Sequence, residues 1–402
     1  MTNLPQGWKM ETLGEILSSD KYSIKRGPFG SALKKSFFVE KGIRIFEQYN
    51  PINNDPHWKR YFISHEKFQE LEAFKATEGD LLISCSGTLG KIVELPKDTE
   101  MGIINQALLK IRLNNIKILN SYFIYYFNSP IMQEKILEST LGSAIKNIAS
   151  VKILKQIEIP LPPLKKQERI VGILDESFAK IDESIKILEQ NLLNLDELMQ
   201  SALQKAFNPL KDNAKENYKL PQSWEWKSLE EISENISAGG DKPKNCTESK
   251  TAKNKIPVYA NGVNNNGLVG YTDKATIIKP SLTISARGTI GFVCIRKEPY
   301  FPIVRLISLI PCENILCLHY LYFCLNFFIA KGEGSSIPQL TIPKFKSLQI
   351  PLPPLKEQEQ IAKHLDFIFE KTKALKELYT KELKDYEELK QSLLNKAFKG
   401  EL

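Results

Sequence analysis

Cysteine and histidine are both scarce in this sequence, and neither shows the spacing of a metal site. No cysteine stands in the Cys-x-x-Cys spacing that is typical of metal and redox sites. The histidines are scattered and match no common ligand motif. The residues are Cys85, Cys246, Cys294, Cys312, Cys317, Cys324, His57, His65, His319 and His364. We interpret the cysteines as reduced thiols and expect no metal ion in this chain.

Long apolar runs are also lacking. No stretch reaches the roughly 18 consecutive apolar residues that suggest a membrane-spanning helix. The opening segment, MTNLPQGWKMETLGEI, has no basic region followed by an apolar one, as a secretion signal requires. We therefore expect no membrane contact and a cytoplasmic location.

Motifs for catalysis and for cofactor binding are missing as well. SGTLGKIV contains Gly90 and Lys91, but Cys85 stands where the first glycine of an ATP-binding loop belongs. No Gly-x-Gly-x-x-Gly occurs, and DPHW only approaches the Asn/Asp-Pro-Pro-aromatic motif of adenine methyltransferases, because His57 replaces the second proline. The chain is therefore expected to bind no cofactor and to catalyse no reaction by itself.

The composition is that of a folded protein with a basic surplus. Of the 402 residues, 42% are hydrophobic and 25% charged, and the formal net charge is +8. This length suits two domains with connecting elements. The positive charge favours a polyanionic partner such as nucleic acid.

The most informative feature is a duplication. IEIPLPPLKKQERIVGILDESFAKID, from Ile157 to Asp182, returns as LQIPLPPLKEQEQIAKHLDFIFEKTK, from Leu348 to Lys373, and the match continues to SALQKAF and SLLNKAF. Three earlier segments recur in the same order: NLPQGWKMETLGEI and KLPQSWEWKSLEEI, ISCSGTLGKIV and ISARGTIGFV, and NSYFIYYFN and LHYLYFCLN. The halves diverge at 25–58 and 237–270. The pattern predicts a shared scaffold with unshared loops.

Each repeat combines strand patterns with short helical ones. GDLLISCSG and PSLTISARG cluster apolar and β-branched residues between glycine and proline, which predicts strands. NSYFIYYFNSPIMQEKIL is predicted to form one helix. Each repeat should therefore fold as a mixed, mostly β domain.

Two long helices are predicted after the PLPPL segments. In the first copy the apolar residues recur at alternating spacings of four and three: Ile170, Leu174, Phe178, Ile181, Ile185, Leu188, Leu192, Leu195 and Met199. A helix from about Lys165 to Phe207 would be on the order of 64 Å long. The second helix has a similar pattern, interrupted at Thr372 and Lys376. Proline cannot lie inside a helix without disrupting it, so each PLPPL segment predicts a stiff elbow.

These observations predict an α+β fold. It comprises two mixed, mostly β domains joined by two long antiparallel coiled-coil helices, with a pseudo-twofold internal repeat. The predicted boundaries are 1–158 for the first domain, 159–210 for the central helix, 211–349 for the second domain and 350–402 for the C-terminal helix.

The loops of both halves carry side chains that can distinguish DNA base edges. Arg and Lys suit guanine, Asn and Gln suit adenine, and hydroxyls are adaptable. The first-half candidates are Lys25, Arg26, Ser31, Lys34, Lys35, Ser84, Ser86, Thr88, Ser143 and Lys146, with Asn50, Asn53 and Asn54. The second-half candidates are Lys242, Lys244, Asn261, Asn264, Asn265, Ser285, Arg287, Thr289, Ser335 and Gln339, with Asn266 and Ser336. Arg287, beside a repeated Gly-Thr, is the strongest candidate for a base or phosphate contact.

Several candidates have a structural alternative. NGVNNNG contains Asn-Gly pairs that are typical of hairpin turns. The glycines of SGT and RGT suit a tight turn between strands, and Lys25 with Arg26 suits a solvated charge pair. Turn formation and nucleic-acid contact both remain open at these positions.

The paired IPLPPLK(K/E)QE segments, each preceded by GS-x-I and a variable domain and followed by a long helix, carry a family resemblance. The chain resembles the specificity (S, HsdS) subunit of type I restriction-modification enzymes along essentially its whole length. The resemblance implies that each domain is a target recognition domain for one half of an asymmetric, bipartite site in double-stranded DNA. It also implies that the helices set the gap between the halves and bind two methyltransferase (M) subunits.

In that family, catalysis resides on other subunits. The resemblance places S-adenosylmethionine on the methyltransferase, and ATP and Mg on the restriction (R) motor-nuclease subunits. Two alternatives remain at this point. One is a bifunctional methyltransferase or nuclease with its active site in the divergent loops. The other is a coiled-coil adaptor that binds no nucleic acid.

Overall fold

The structure, a computed structural model, describes residues 5–138, 148–207, 220–329, 332–333 and 340–402. Its contacts divide the chain into two units. The first unit comprises Met1–Leu188 and Lys381–Leu402, and the second comprises Glu189–Thr380. The predicted boundaries at 158 and 349 follow the repeat rather than these contacts, and the boundary at 210 lies outside the described residues. The four predicted segments therefore stay a prediction.

The first repeat alternates short strands with short helices and ends in one long helix. Its strands are β1 (Lys9–Thr12), β2 (Ile24–Arg26), β3 (Phe38–Val39), β4 (Ile43–Phe46), β5 (Phe62–Ile63), β6 (Lys75–Ala76), β7 (Leu81–Ser84), β8 (Ile92–Glu94), β9 (Gly102–Ile104), β10 (Leu108–Ile111) and β11 (Glu158–Leu161). Its helices are α1 (Leu13–Ile16), α2 (Tyr49–Ile52), α3 (His65–Glu70), α4 (Asn120–Phe127), α5 (Pro130–Glu138), α6 (Val151–Leu154) and α7 (Leu164–Phe207).

The second repeat follows the same plan, with fewer α-helices among its described residues. Its strands are β12 (Glu225–Ser228), β13 (Ser233–Ala238), β14 (Ile256–Tyr259), β15 (Leu268–Thr272), β16 (Ser281–Ile284), β17 (Thr289–Ile290), β18 (Val293–Arg296), β19 (Phe301–Pro302), β20 (Ile307–Pro311), β21 (Gly332–Glu333) and β22 (Gln349–Leu352). Its helices are α8 (Leu229–Ile232), α9 (Leu318–Phe328), α10 (Ile342–Lys346) and α11 (Leu355–Lys399).

The start of each repeat pairs with the strand that precedes its long helix. β1 is antiparallel to β11, with Lys9 opposite Leu161, and β12 is antiparallel to β22, with Glu225 opposite Leu352. The residues that directly follow each duplicated Leu-Pro-Gln-x-Trp segment therefore pair with the start of the PLPPL segment of the same repeat. This arrangement explains why both segments are repeated together.

Each unit is built around one four-stranded antiparallel sheet. The strand order is β2-β10-β7-β8 in the first unit and β13-β20-β16-β18 in the second. Successive strand side chains point to opposite faces. Leu81 and Ile83 accordingly pack in the main core of the first unit, while Leu82 packs with Phe46 and Ile104 on the other face. The predicted strands are confirmed.

Beyond the shared four-stranded sheet, each unit has a further sheet that differs from that of the other unit. In the first unit, β3-β5-β4-β9-β6 form a mixed five-stranded sheet in which β4 and β9 are parallel. In the second unit, β15-β14-β19 form a three-stranded sheet in which β14 and β19 are parallel. The prediction of a shared scaffold with unshared loops is confirmed, and the unshared parts are larger than loops.

Both long helices begin directly after the Pro-Pro pair. α7 starts at Leu164 and has 44 residues, and α11 starts at Leu355 and has 45. A duplicated hydrogen bond fixes each elbow to its domain, because Tyr122 Oη donates to the carbonyl of Pro160 at 2.8 Å and Tyr320 Oη donates to that of Pro351 at 2.6 Å. The elbow prediction is confirmed.

The helices pack together within each unit. In the first unit, Asp182 of α7 forms an ion pair with Lys390 of α11, and the residues that share a core are Ile170, Leu174, Leu394, Ala397 and Phe398. In the second unit, Asp196 pairs with Lys376, and the residues that share a core are Leu203, Phe207, Ala362 and Leu365. In each case a later position on α7 meets an earlier one on α11. The predicted antiparallel pairing is confirmed.

The predicted interruption of the second seam is accommodated. Thr372 is 1% exposed, and its Oγ1 donates to the carbonyl of Ile368 at 2.7 Å. Lys376 is held by its ion pair with Asp196. The hydroxyl is therefore satisfied inside the helix, and the seam continues past it.

One predicted helix is in fact two. α4 ends at Phe127 and α5 begins at Pro130, whereas a single helix was predicted across NSYFIYYFNSPIMQEKIL. Pro130 cannot donate a hydrogen bond and suits the first turn of a helix. The buried Ser129 Oγ donates to the carbonyl of Tyr126 at 2.6 Å and closes the break. The prediction of one helix was wrong.

Within the described ranges, no helix combines the length and the apolar character needed to cross a membrane. All six cysteines are free thiols, as predicted. Burial raises the pKa of the Cys85 thiol to about 12.

Candidate nucleic-acid interface

A repeated turn occupies the same place in both four-stranded sheets. Between β7 and β8, the amide of Ser84 donates to the carbonyl of Lys91 at 2.9 Å, and the amide of Gly90 donates to the carbonyl of Ser84 at 3.0 Å. Between β16 and β18, the amides of Ser285 and Gly291 make the equivalent bonds at 2.9 and 3.0 Å. Gly87 and Gly288 have φ values of +67° and +69°, which favour glycine. The tight-turn interpretation of SGT and RGT is confirmed.

The hydroxyls of two predicted contact residues accept hydrogen bonds from main-chain amides. Ser84 and Ser285 are buried, at 0% and 1% exposure. Ser84 Oγ accepts from the amide of Lys91 at 3.0 Å, and Ser285 Oγ accepts from the amide of Gly262 at 3.3 Å. Neither hydroxyl is therefore part of the exposed surface.

The residues that follow these serines lie further out. Thr88 is exposed, and Ser86, Arg287 and Thr289 are half-buried. Ser86 Oγ donates to Gln48 Oε1 at 3.5 Å. Ser86 and Arg287 each precede the left-handed glycine of their turn, so equivalent positions carry a hydroxyl in one unit and a guanidinium in the other.

The remaining described candidates of the first unit lie on β2 and after it. Lys25 Nζ lies 5.1 Å from the centre of the Phe74 ring, and the Arg26 guanidinium lies 5.7 Å from that of Phe29. Ser31, Lys34 and Lys35 are exposed. Ring contacts thus hold the first two cations, while the last two extend into solvent.

The first-unit asparagines hold a loop together. Asn50 is fully buried, and its side chain accepts from the amide of Glu47 at 2.9 Å and donates to the carbonyls of Asp55 and Trp58 at 2.9 and 2.8 Å. Asn53 Nδ2 donates to the carbonyl of Tyr49, and Asn54 has a φ of +50°. Asn50 therefore cannot contact a ligand without losing three hydrogen bonds.

The NGVNNNG segment forms the connection of the β14–β15 hairpin. The amide of Ala260 donates to Gly267 at 2.8 Å, and Asn265 and Asn266 have φ values of +47° and +51°. Asn264 and Asn265 are also exposed. Turn formation is confirmed here, and the exposed amides remain available for contact.

Asn261 links three loops of the second unit. Its Oδ1 accepts from the amide of Ala286 at 2.8 Å, and its Nδ2 donates to the carbonyl of Val304 at 2.7 Å. The structure therefore brings the hairpin connection, the Arg287 turn and the segment at Val304 together at one edge of the sheet. The exposed Lys242 and Lys244 follow Gly240, whose carbonyl accepts from the amide of Val304 at 2.8 Å.

Two buried arginines support the unshared loops. Arg44 Nη2 donates to the carbonyls of Pro56 and Trp58, and burial lowers the pKa of its guanidinium. Arg296 Nε donates to Thr283 Oγ1 at 3.0 Å, and its Nη2 donates to the carbonyl of Asn266 at 2.6 Å. Both guanidinium groups therefore bind oxygen atoms of their own unit and stabilise its loops.

Sequence inspection missed Gln48, Gln106 and Arg305. Gln48 contacts Ser86, and Gln106 and Arg305 are exposed in turns beside the repeated glycine turns. Only their polar side chains were visible in the sequence, with no motif around them. Ser143, Lys146, Ser335, Ser336 and Gln339 lie outside the described residues. Among the described residues, no group of three or more His, Cys, Asp or Glu side chains could hold a metal ion.

Two solved structures resemble this chain in fold. A chain from a structure titled for the complex assembly and conformational transition of the type I R-M system aligns over 100% of both chains, with a TM-score of 0.81 and 21% identity. The HsdS subunit of Thermoanaerobacter tengcongensis aligns over 99% of this chain and 98% of its own, with a TM-score of 0.63 and 20% identity. These likenesses establish the fold.

Curated relatives share sequence as well. A type I specificity subunit of Mycoplasma pneumoniae, S.MpnORF507P, is 33% identical over 54% of this chain, and the match spans 57% of that relative's length. The MjaX specificity subunit of Methanocaldococcus jannaschii is 25% identical over 85% of this chain and 82% of its own. The family model for the type I restriction modification DNA specificity domain matches twice, at residues 5–193 and 221–385. The chain therefore belongs to the type I restriction-modification DNA specificity family.

Proposed function

We propose that this chain is the DNA-recognition subunit of a type I restriction-modification complex, and that its two repeats recognise different halves of one asymmetric, bipartite site. The observation that carries the proposal is one scaffold present twice with different side chains at equivalent positions. Ser86 precedes the left-handed Gly87 in the first unit, and Arg287 precedes the equivalent Gly288 in the second. Because a hydroxyl and a guanidinium prefer different base edges, the two units would select different sequences.

The long helices would set the distance between the half-sites and bind two methyltransferase subunits. Both helices carry large apolar side chains that are more than half exposed, namely Ile187, Leu193, Leu198, Phe367 and Leu378. We take these side chains as the candidate contacts for the methyltransferase subunits. Restriction motor-nuclease subunits would join the full complex.

In this proposal the chain itself is not a catalyst. S-adenosylmethionine would bind to the methyltransferase subunits, and ATP and Mg to the motor-nuclease subunits. This chain would supply base contacts and phosphate contacts, for which its net charge of +8 is suited.

The test is a comparison of DNA methylation in cells that express the methyltransferase partner with and without this chain, measured by single-molecule sequencing. We expect one asymmetric, two-part methyladenine motif that is present only with the chain. Gel shifts of the purified complex on that motif should weaken steeply as salt rises. A methylome that is identical in both cells, although the methyltransferase co-purifies with the chain, would refute the proposal.

A further inference from the structure

Equivalent four-residue turns stand at the same place in the two units. Asn105–Leu108 joins β9 to β10, and Ile303–Leu306 joins β19 to β20. Each is closed by an amide-to-carbonyl hydrogen bond between its last and first residues, at 3.1 and 3.0 Å. Each is also followed by the same contact, because the amides of Gly27 and Gly239 donate to Leu108 and Leu306 at 2.9 and 2.8 Å. The two turns can therefore be compared residue by residue.

The turns have opposite hands. Val304 and Arg305 have φ values of +53° and +58°, whereas the equivalent Gln106 and Ala107 are not among the described residues with positive φ. Two successive positive φ values are typical of a type I′ turn, which strongly prefers Asn and Gly. A β-branched residue such as Val304 is a genuine outlier in this region. The second unit thus has an energetically unfavourable backbone conformation at Val304, which the equivalent residue of the first unit does not adopt.

Surrounding hydrogen bonds hold the left-handed turn. The amides of Val304 and Arg305 donate to Gly240 and Gly239, both at 2.8 Å. Asn261 Nδ2 donates to the carbonyl of Val304 at 2.7 Å. A Cβ on Gly239 would lie 2.6 Å from the amide nitrogen of Ile303, so only glycine allows this approach.

In the second unit, the side chain of Asn261 takes the place of a main-chain acceptor that the first unit uses at the equivalent position. There, the amide of Cys85 donates directly to the carbonyl of Ala107 at 2.8 Å. In the second unit, the equivalent amide of Ala286 donates instead to Asn261 Oδ1 at 2.8 Å. The asparagine therefore connects the turn of Arg305 to the turn of Arg287.

The result is an exposed guanidinium on a rigid support. Arg305 is exposed, and within the ranges that the structure describes its side chain has no hydrogen-bond or ion-pair partner. By contrast, Arg296 of the same unit is 8% exposed and bound to Thr283. An arginine can donate two parallel hydrogen bonds to O6 and N7 of guanine, and a fixed backbone reduces the entropy lost when it does so.

Resting on the proposed function, we propose that Arg305 is a specificity-determining residue that recognises a guanine in the half-site of the second repeat, and that Asn261 is its positioning residue. Arg305 contributes the base contact. Asn261 holds Val304 and Arg305 in the left-handed turn and contacts no base itself.

The test compares methylation motifs of complexes that carry Arg305→Ala, Arg305→Lys or Asn261→Ala. The matched control is Lys297→Ala, which removes an exposed cation beyond the opposite end of β18. We expect Arg305→Ala to relax one G·C pair of one half-site, with a loss of discrimination on the order of 10-fold or more, and to leave the other half-site unchanged. Arg305→Lys should relax the same pair less, and Asn261→Ala should affect the same pair.

The outcomes separate the two proposals. If the wild-type complex yields no bipartite motif, the proposed function fails. If it does yield one and Arg305→Ala leaves it unchanged, or weakens methylation of all sequences equally, the assignment of Arg305 is overturned and the proposed function stands. Thermal unfolding of each variant complex checks that the fold persists, since a merely structural defect would not relax a single base pair.

Discussion

The amide of Leu119 donates to Gln167 Oε1 at 2.9 Å, which joins the loop before α4 to the first turns of α7. Gln167 is fully buried, and its Nε2 also donates to the carbonyls of Lys117 and Pro162 at 3.0 and 2.9 Å. The equivalent Gln358 makes the same three hydrogen bonds: its Oε1 accepts from the amide of Cys317, and its Nε2 donates to the carbonyls of Ile315 and Pro353. The glutamine of PLPPLxxQE therefore fixes each long helix to its domain.

Gln167→Ala should lower the free energy of unfolding by about 3 kcal/mol, because it leaves one buried and two partly buried main-chain groups without their partner, and a fully buried group costs about 1 to 3 kcal/mol. Urea unfolding would measure the change. Gln360→Ala is the control, since Gln360 is exposed on α11, and it should alter stability by less than about 0.5 kcal/mol. Equal effects of the two substitutions would contradict the role of Gln167.

Phe398 closes the aromatic core of the first unit. Its ring centre lies 5.4 Å from that of Tyr122 and 5.0 Å from that of Tyr126, and it is 4% exposed. Phe398→Ala should cost about 3 to 5 kcal/mol of stability, measured by chemical unfolding. Phe367→Ala on the same helix is the control, because Phe367 is 59% exposed. Loss of stability from the control alone would contradict this packing.

Two carboxylates at helix starts predict acid sensitivity. A hydrogen bond from the amide of Thr12 is the main cause that lowers the pKa of Glu15. A hydrogen bond from the hydroxyl of Ser228 is the main cause that lowers the pKa of Glu231. Since the native state binds fewer protons, this stability is present above the unfolded pKa of about 4.3 and is lost as pH falls through the lowered native values.

The double variant Glu15→Gln, Glu231→Gln should therefore lose less stability than wild type between about pH 5 and pH 3. Urea midpoints across this range give the comparison. Parallel pH profiles for the two proteins would show that these carboxylates do not contribute.

Arg287→Ala should weaken recognition of the half-site of the second repeat by about 1 to 3 kcal/mol, the worth of one bidentate base contact. Discrimination at the other half-site should remain intact. Binding assays with single-base variants of the methylation motif measure both. A uniform loss across all sequences would instead identify Arg287 as a phosphate contact.

Removal of two turns from both α7 and α11 should shorten the gap between the two half-sites of the DNA motif. Deletion of 183–189 and 383–389 preserves the ion pairs Asp182–Lys390 and Asp196–Lys376. Each helix loses about 10 Å, so the motif gap should shrink by about three base pairs, or recognition should fail. An unchanged gap in an active complex would show that the helices do not set the spacing.

The sequence predicted what the duplication and simple periodicity encode. The elbows at Pro163 and Pro354, the strands before SGT and RGT and the antiparallel seam all follow from local rules. The break before Pro130 is also encoded locally, by the missing amide donor of proline, although the apolar pattern continues across it.

The candidate site was less accessible to sequence inspection. Serine next to glycine suggests an exposed hydroxyl, yet Ser84 and Ser285 are turned inward to bond main-chain amides. The left-handed pair Val304–Arg305 violates residue preference, so no local rule could predict it. Such conformations depend on distant partners such as Asn261, which only the folded chain brings near.

The placement of Phe398 has a consequence for biosynthesis. The first unit takes its last residues from Lys381–Leu402, which the ribosome adds only after the whole of Glu189–Thr380. Until then, Tyr122 and Tyr126 lack their aromatic neighbour, and the nascent first unit exposes an apolar surface that is prone to aggregation. A stop codon just before Lys381 would therefore damage the half of the protein that was translated first.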